Sequence, residues 1–345
     1  MRFGIIGSGS WATAIAKILT DNGHALNWWV RSETMITHLK SRHHNPHYLS
    51  SVYFDGSLLT LNNSVEQVIA NSDCLILAVP SAYIEATFKD LPKNSFAGKK
   101  FISAVKGMLP EFNLLINDYM KQEFSLELND YFTIMGPCHA EEIAAEKLSY
   151  LTFSGKDEVF AEKLASNFEN QYLNTIVNND VYGVQYAAIL KNIYALGSGI
   201  AHGLEYGDNF LSVLIANCAD EMAGFLRKAG ISHIEVGVHE FEDPVYRKKS
   251  RNYAASVYLG DLLVTCYSLY SRNRTFGNMI GKGYSVKAAQ LELNMVAEGY
   301  NASKCIHLSN KKLKAEIPIA ETIYEILWEN VKVGEGYKRI ESFLV

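Results

Sequence analysis

The sequence predicts an α/β domain built on a mainly parallel sheet, followed by an all-α domain. Three observations carry this expectation. At 345 residues the chain is longer than one hydrophobic core usually supports. Up to the region of residue 180, short β-rich runs alternate with helical stretches, the pattern of strands joined by crossover helices. Beyond that point strand signals fade, and long segments carry an apolar period near 3.6 residues. The boundary is placed at "NNDVYG", giving domains of 1–178 and 179–345.

Within the first domain, strands are expected at 2–6 (RFGII), 26–30 (LNWWV), 74–79 (CLILAV), 100–104 (KFISA), 131–135 (YFTIM) and 150–154 (YLTFS). A further extended stretch, 172–177, closes this domain. Helices are expected in the second domain at 181–201, 208–230, 256–270, 285–298 and 318–331. No internal repeat or low-complexity tract interrupts either half.

The opening segment "FGIIGSGSWATAIAKIL" (3–19) reads as an apolar strand, a GxGxxA turn and an apolar helix in direct succession. Gly7 permits the tight turn, and Gly9 lets backbone N–H groups approach a pyrophosphate. Ala12 stands where a third glycine would allow close helix–strand packing. The helix N-terminus beyond Gly9 adds unpaired donors and a positive dipole end. The first domain is therefore read as a Rossmann-like dinucleotide-binding domain. The second strand ends in "WWVRS", where an acidic residue would favour NAD(H). A cation beside a small hydroxyl, Arg31 and Ser32, instead suits a 2′-phosphate, so NADP(H) is preferred. Glu33 follows directly and keeps NAD(H) open as a second cofactor. "LAVPS" (77–81) ends a buried strand on the side where ligands bind; it either passes the nicotinamide half of the cofactor or simply stops the strand.

Composition narrows the class. Apolar residues at 48% and charged residues at 20% are ordinary globular values. A net charge of -5 leaves no electrostatic footprint for nucleic acid or an anionic membrane. The basic clusters "RKKSR" (247–251) and "KKLK" (311–314) are short and read as solvated. Five scattered cysteines (74, 138, 218, 266 and 305) include no CxxC pair, which fits reduced thiols. No apolar run approaches the ~18 residues of a membrane span. The first strand starts too early for a signal peptide, so the expectation is a cytoplasmic protein without membrane insertion. "SRHHNPHYL" (41–49) holds three histidines, but no carboxylate or cysteine completes a metal site, and it reads as a polar loop.

Four segments carry polar groups suited to chemistry. "SAVKGM" (103–108) sets Lys106 just past a strand end. "MGPCHAEEIA" (135–144) is a Gly-Pro turn leading into a helix. "LKNIYALGSG" (190–199) places Lys191 on a helical face shared with Ala187, Ala188, Ala195 and Ser198, residues too small to cover it. "GDLLVTCYSLYSRNRTFG" (260–277) puts Asp261 in apolar company, then Ser271, Arg272 and Asn273 together. An unpaired carboxylate on an apolar helix is costly, so Lys191 is the partner expected for Asp261. Arginine's fork matches phosphate oxygens, which makes the Ser-Arg-Asn cluster either a phosphate clamp or a solvated turn.

Taken in order, "GIIGSGSWATAIA", "LAVPS", "VKGM", "GPCHAEE", "LKNIYALGSGIAHGLEYGDN", "GDLLVTCYSLYSRNRTFG" and "VAEGY" resemble the NAD(P)-dependent glycerol-3-phosphate dehydrogenases of the bacterial soluble type. The resemblance covers nearly the whole chain. It implies reversible hydride transfer between the nicotinamide and C2 of dihydroxyacetone phosphate, giving sn-glycerol 3-phosphate for glycerophospholipid synthesis. It also implies that Lys191 exchanges the proton at C2 with Asp261 beside it. Lys106, Gly136, Cys138, Ser271, Arg272 and Asn273 then hold substrate. By the same carry-over, Gly7, Gly9, Ser10, Trp11, Arg31, Lys106, Ala140, Arg272, Val296 and Glu298 line the cofactor. No metal is implied, and a homodimer is common among such enzymes, although no patch in the sequence marks one.

Cys138 departs from the family pattern, which has Thr or Ser after "GP"; a thiol is the weaker donor. The wider superfamily includes enzymes with a catalytic cysteine, such as UDP-glucose dehydrogenase, so a nucleophilic Cys138 is one alternative. Two others are a related dehydrogenase of another hydroxy compound and a non-catalytic dinucleotide sensor. Read as a phosphate clamp, the Ser-Arg-Asn cluster predicts a phosphorylated substrate, and a sensor has no use for a costly buried Lys–Asp pair.

Overall fold

The computed structural model describes residues 1–231, 255–293 and 297–345. They form two compact units, Met1–Val105 with Leu114–Val181, and Lys106–Asn113 with Tyr182–Val345.

In the first unit, eight strands make one sheet: β1 (Phe3–Ile6), β2 (Leu26–Trp29), β3 (Leu59–Asn62), β4 (Cys74–Leu77), β5 (Lys100–Ser103), β6 (Tyr131–Met135), β7 (Ser149–Gly155) and β8 (Leu173–Asn178). Their order is β3-β2-β1-β4-β5-β6-β7-β8. Neighbours run parallel except β6 and β7, which are antiparallel with Ile134 opposite Phe153. β1, β4 and β6 are buried at every residue, as strands covered by helices on both faces must be, and their apolar runs follow from that. β3 was not expected. It is a half-exposed edge strand of sequence LTLN, without the apolar run that marks its neighbours. From β1 the chain builds outward to β3, then returns to β4 on the other side of β1. That reversal makes the carboxyl ends of β1 and β4 the topological switch point, where sheets of this kind bind ligands.

Among its described residues the second unit is helical. Val181–Gly203 and Asp208–Lys228 are its long helices. The expected helix at 256–270 is instead a π-helical turn, Ala255–Gly260, running into Asp261–Tyr267. The helix then ends, and Ser271 caps a separate one, Arg272–Gly281, by accepting the Arg274 N–H at 3.3 Å. Of the expected 285–298 helix, Val286–Leu293 is helical among the described residues, and Glu298 begins the helix Glu298–Leu313. Pro318–Trp328 and Val333–Glu341 complete the unit.

Two contacts fix the Val181–Gly203 helix. Gly199 and Gly203 face the Arg274 and Asn278 carbonyls, and Gly277 and Gly281 face those of Leu196 and Ile200, so closely that a Cβ on any of the four glycines would overlap facing backbone. Tyr194 donates to the Glu221 carboxylate at 3.1 Å, and Glu221 in turn accepts the N–H groups of Ile319 and Ala320 at 2.8 and 2.9 Å. Glu221 thus caps Pro318–Trp328, and burial raises its pKa to about 7.

Candidate active site

The glycine turn after β1 is built from the inside. Gly7 has φ +129°, and an added Cβ would stand 2.5 Å from the Ala78 carbonyl oxygen, so no side chain fits there. At Gly9 the constraint differs: a Cβ would meet no protein atom within 4 Å, and its absence keeps the approach to the helix N-terminus open. The helix Ser10–Asp21 starts there with no side-chain cap and no acidic residue in its first turn. Its leading N–H groups and positive dipole end fit a pyrophosphate. Ser10 and Ala12 are buried and Trp11 is half-buried on that first turn.

Arg31 follows the end of β2, is exposed, and makes no hydrogen bond or ion pair among the described residues. Ser32 is committed as the cap of Glu33–Arg42, accepting the Met35 N–H at 3.3 Å. Glu33 accepts a hydrogen bond from Asn63. The only unengaged charge at this strand tip, within the described residues, is therefore the guanidinium. Past β6, Gly136 has φ +128°, and a Cβ would stand 2.8 Å from the Tyr150 carbonyl oxygen. Cys138 and Ala140 are buried after it, with Ala140 opening the short helix Ala140–Ala144.

The second unit holds a cluster of ionisable side chains. Lys191 is 3% exposed and Asp261 1%. The Lys191 ammonium pairs with Asp261 Oδ1 and donates to Thr265 Oγ1 at 3.1 Å. Thr265 lies one helical turn beyond Asp261 and donates to the Asp261 carbonyl at 2.5 Å, which aims its lone pairs at the lysine. Lys106 approaches Asp261 Oδ2 at 3.7 Å. That oxygen is buried and accepts no hydrogen bond among the described residues. Burial pushes the Lys191 pKa down to about 7, opposed by Asp261 and reinforced by Lys106. The small neighbours Ala187, Ala188, Ala195 and Ser198 are fully buried around it.

A chain of amides joins this cluster to two helix starts. Asn192 donates to the Lys106 carbonyl at 2.9 Å, and Asn273 donates to Asn192 Oδ1 at 2.9 Å. The Gly299 N–H donates to Asn273 Oδ1 at 2.9 Å, beside the half-buried Glu298. Asn273 and Ser271 are thus committed within the protein, whereas Arg272 is exposed and unpaired among the described residues. Val296, the "RKKSR" cluster and residues 239–249 lie outside the described residues.

Sequence reasoning passed over Asn192 and Thr265, although both sit beside residues it chose. The spacing of Asp261 and Thr265, four apart on a helix, was the available signal. It also passed over Asn45 and Trp28, which brace the glycine turn. The histidine loop around Asn45 holds a His38–His44 ring pair, and no group of three or more metal-ligating side chains occurs among the described residues.

Comparison with known proteins covers both units. Residues 2–161 match the family model described as NAD-dependent glycerol-3-phosphate dehydrogenase N-terminus, and 180–338 match its C-terminus counterpart. The chain is 31% identical over 335 residues to a glycerol-3-phosphate dehydrogenase (NAD(P)+) of Bacillus thuringiensis (strain Al Hakam), spanning 96% of this chain and 93% of that one. The Bacillus anthracis (strain CDC 684 / NRRL 3495) protein of the same name is 30% identical over the same shares. Among solved structures, glycerol-3-phosphate dehydrogenase from Coxiella burnetii superposes with a TM-score of 0.85 at 24% identity, over 98% of each chain. D-mandelate dehydrogenase with NADH shares the fold more distantly, with a TM-score of 0.58 at 13% identity over 96% and 98% of the two chains.

Proposed function

We propose, from the premise that this chain belongs to the NAD-dependent glycerol-3-phosphate dehydrogenase family, that it reduces dihydroxyacetone phosphate reversibly to sn-glycerol 3-phosphate with NADPH or NADH. The observation that carries the reading is the buried Lys191–Asp261–Thr265 cluster. Reduction of a ketone needs a hydride at carbon and a proton on the oxygen. The nicotinamide supplies the hydride when it is bound. The protein's part is the proton and the charge: the Lys191 ammonium gives its proton to the C2 oxygen as negative charge develops there, and takes it back in the oxidation. Asp261 and Thr265 hold the ammonium in place, and Asp261 keeps it charged. Asp261 Oδ2, buried and accepting no hydrogen bond among the described residues, suits a substrate hydroxyl.

Lys106 and the exposed Arg272 supply positive charge for the substrate phosphate. Ser271 and Asn273 act on it through the helix start that they shape. Gly7, Gly9 and the Ser10–Asp21 helix start hold the pyrophosphate, and Arg31 selects a 2′-phosphate. Among the described residues no helix is long and apolar enough to cross a membrane, and the reading places the enzyme in the cytoplasm, supplying glycerol 3-phosphate for glycerophospholipid synthesis.

Following NADH and NADPH oxidation with dihydroxyacetone phosphate tests the proposal. Turnover with at least one is expected, fastest with NADPH; no oxidation of either by folded protein overturns it. Arg31→Asp should reverse the cofactor preference, and an unchanged preference removes Arg31 from its role. Cys138→Ser should retain turnover or improve it; loss of turnover would instead favour the nucleophilic cysteine.

A further inference from the structure

The carbonyls of the glycine turn are each held by a different residue. Gly7 C=O accepts the buried indole N–H of Trp28 at 2.7 Å. Ser8 C=O accepts Asn45 Nδ2 at 3.2 Å. Gly9 C=O accepts the Thr13 hydroxyl at 2.8 Å and the Thr13 N–H at 2.9 Å. In a trans peptide the C=O of one residue and the N–H of the next point in opposite directions. Holding these carbonyls against the protein therefore turns the N–H groups of Ser8, Gly9 and Ser10 the other way, and no protein acceptor takes them among the described residues.

Asn45 is the part of this clamp that comes from outside the strand–turn–helix unit. It is completely buried. Its Nδ2 donates to Ser8 C=O and to Thr13 Oγ1, the latter at 2.8 Å. Its Oδ1 accepts the N–H groups of His47 and Tyr48 at 3.0 and 3.2 Å. Both amide hydrogens and the carbonyl oxygen are thus used, and the Thr13 hydroxyl passes the link on to Gly9. An amide with two donors on one side and an acceptor on the other meets this requirement; Asp lacks the donors.

We propose that Asn45 is a positioning residue for dinucleotide binding, setting the Ser8–Gly9 peptide so that its N–H faces the pyrophosphate. This rests on the reading of the glycine turn as the cofactor's phosphate site. It assigns the histidine-flanked loop, which the sequence marks only as polar, a place in cofactor affinity.

The test is titration of cofactor-free wild type, Asn45→Ala and Thr13→Val with NADPH, NADH and ADP-ribose, alongside thermal unfolding and steady-state kinetics. Leaving a part-buried carbonyl without its donor and its peptide free to turn should weaken binding of all three ligands roughly 10-fold or more in Asn45→Ala. The KM for NADPH should rise with it, while kcat at saturating NADPH and the KM for dihydroxyacetone phosphate stay near wild type. Thr13→Val, which retains the fold of its helix and removes one link, should show a smaller rise of the same kind. Folded Asn45→Ala that binds as wild type, with only its unfolding temperature lowered, overturns the inference. Should Asn45→Ala not fold, unchanged binding by Thr13→Val overturns it instead. Wild type that binds none of the three ligands overturns the phosphate-site reading and this inference together.

Discussion

Lys17, 7% exposed on the Ser10–Asp21 helix, and Lys191, 3% exposed on the Val181–Gly203 helix, are both shielded from solvent, Lys191 the more deeply, and opposite in surroundings. Lys17 meets two carboxylates, Asp21 at 2.5 Å and Glu146 at 3.0 Å, with the Tyr172 ring 5.1 Å from its ammonium. Burial lowers its pKa, but the two acids outweigh burial and the net shift is upward. Lys191 meets one carboxylate among the described residues, and a second lysine approaches the same acid. Burial wins there, and the pKa falls to about 7. A buried lysine with surplus negative charge is a fixed cation that ties a helix end in place. One that shares an acid with a second lysine can give up a proton near neutral pH.

The largest expected contrast is in turnover. Lys191→Met should lower kcat for dihydroxyacetone phosphate reduction by roughly 1,000- to 10,000-fold while NADPH binding persists. Lys17→Met should leave kcat within a few-fold of wild type. Equal losses from the two substitutions, measured in the same assay, would dissolve the distinction.

Next comes pH. On the proposed role of Lys191 as proton donor, kcat/KM for reduction should fall as pH rises through about 7, approaching tenfold per unit. The two lysines should also bend the stability curve in opposite senses. A folded-state pKa lowered from 10.5 means that the unfolded chain binds more protons between about 7 and 10.5, so the Lys191 contribution makes stability rise with pH across that window. The raised pKa of Lys17 contributes stability that is fully present below 10.5 and lost above it. The smallest effect is the stability change of Lys17→Met. Asp21 and Glu146 are part-exposed, and thermal unfolding should register a loss of about 1 kcal/mol. A loss several times larger would show Lys17 to be more than a surface-screened tie.

The fold was legible where physics leaves a pattern in the chain. β1, β4 and β6 are covered on both faces, so their sequences are continuous apolar runs. β3 sits at an edge and needs no such run. The break between Asp261–Tyr267 and Arg272–Gly281 was hidden for the opposite reason: Leu269 and Tyr270 continue the apolar pattern although they are 83% and 56% exposed. At the candidate site, Lys191 and Asp261 announced themselves as charges in apolar helices, and the structure pairs them. Asn192, Thr265 and Asn45 left no comparable mark, since an uncharged polar side chain is common anywhere and its partners are set by tertiary packing. Ser271 and Asn273 were legible as a cluster, but their use as a cap and an amide link was not.

The most direct test of the role proposed for Lys191 is the pH profile of kcat/KM for dihydroxyacetone phosphate reduction by wild type and Asp261→Asn. Removing the carboxylate charge takes away the principal influence holding the Lys191 pKa up. The descending limb near pH 7 should therefore move to lower pH in Asp261→Asn. A limb that stays at the wild-type pH in an active, folded variant would contradict the account.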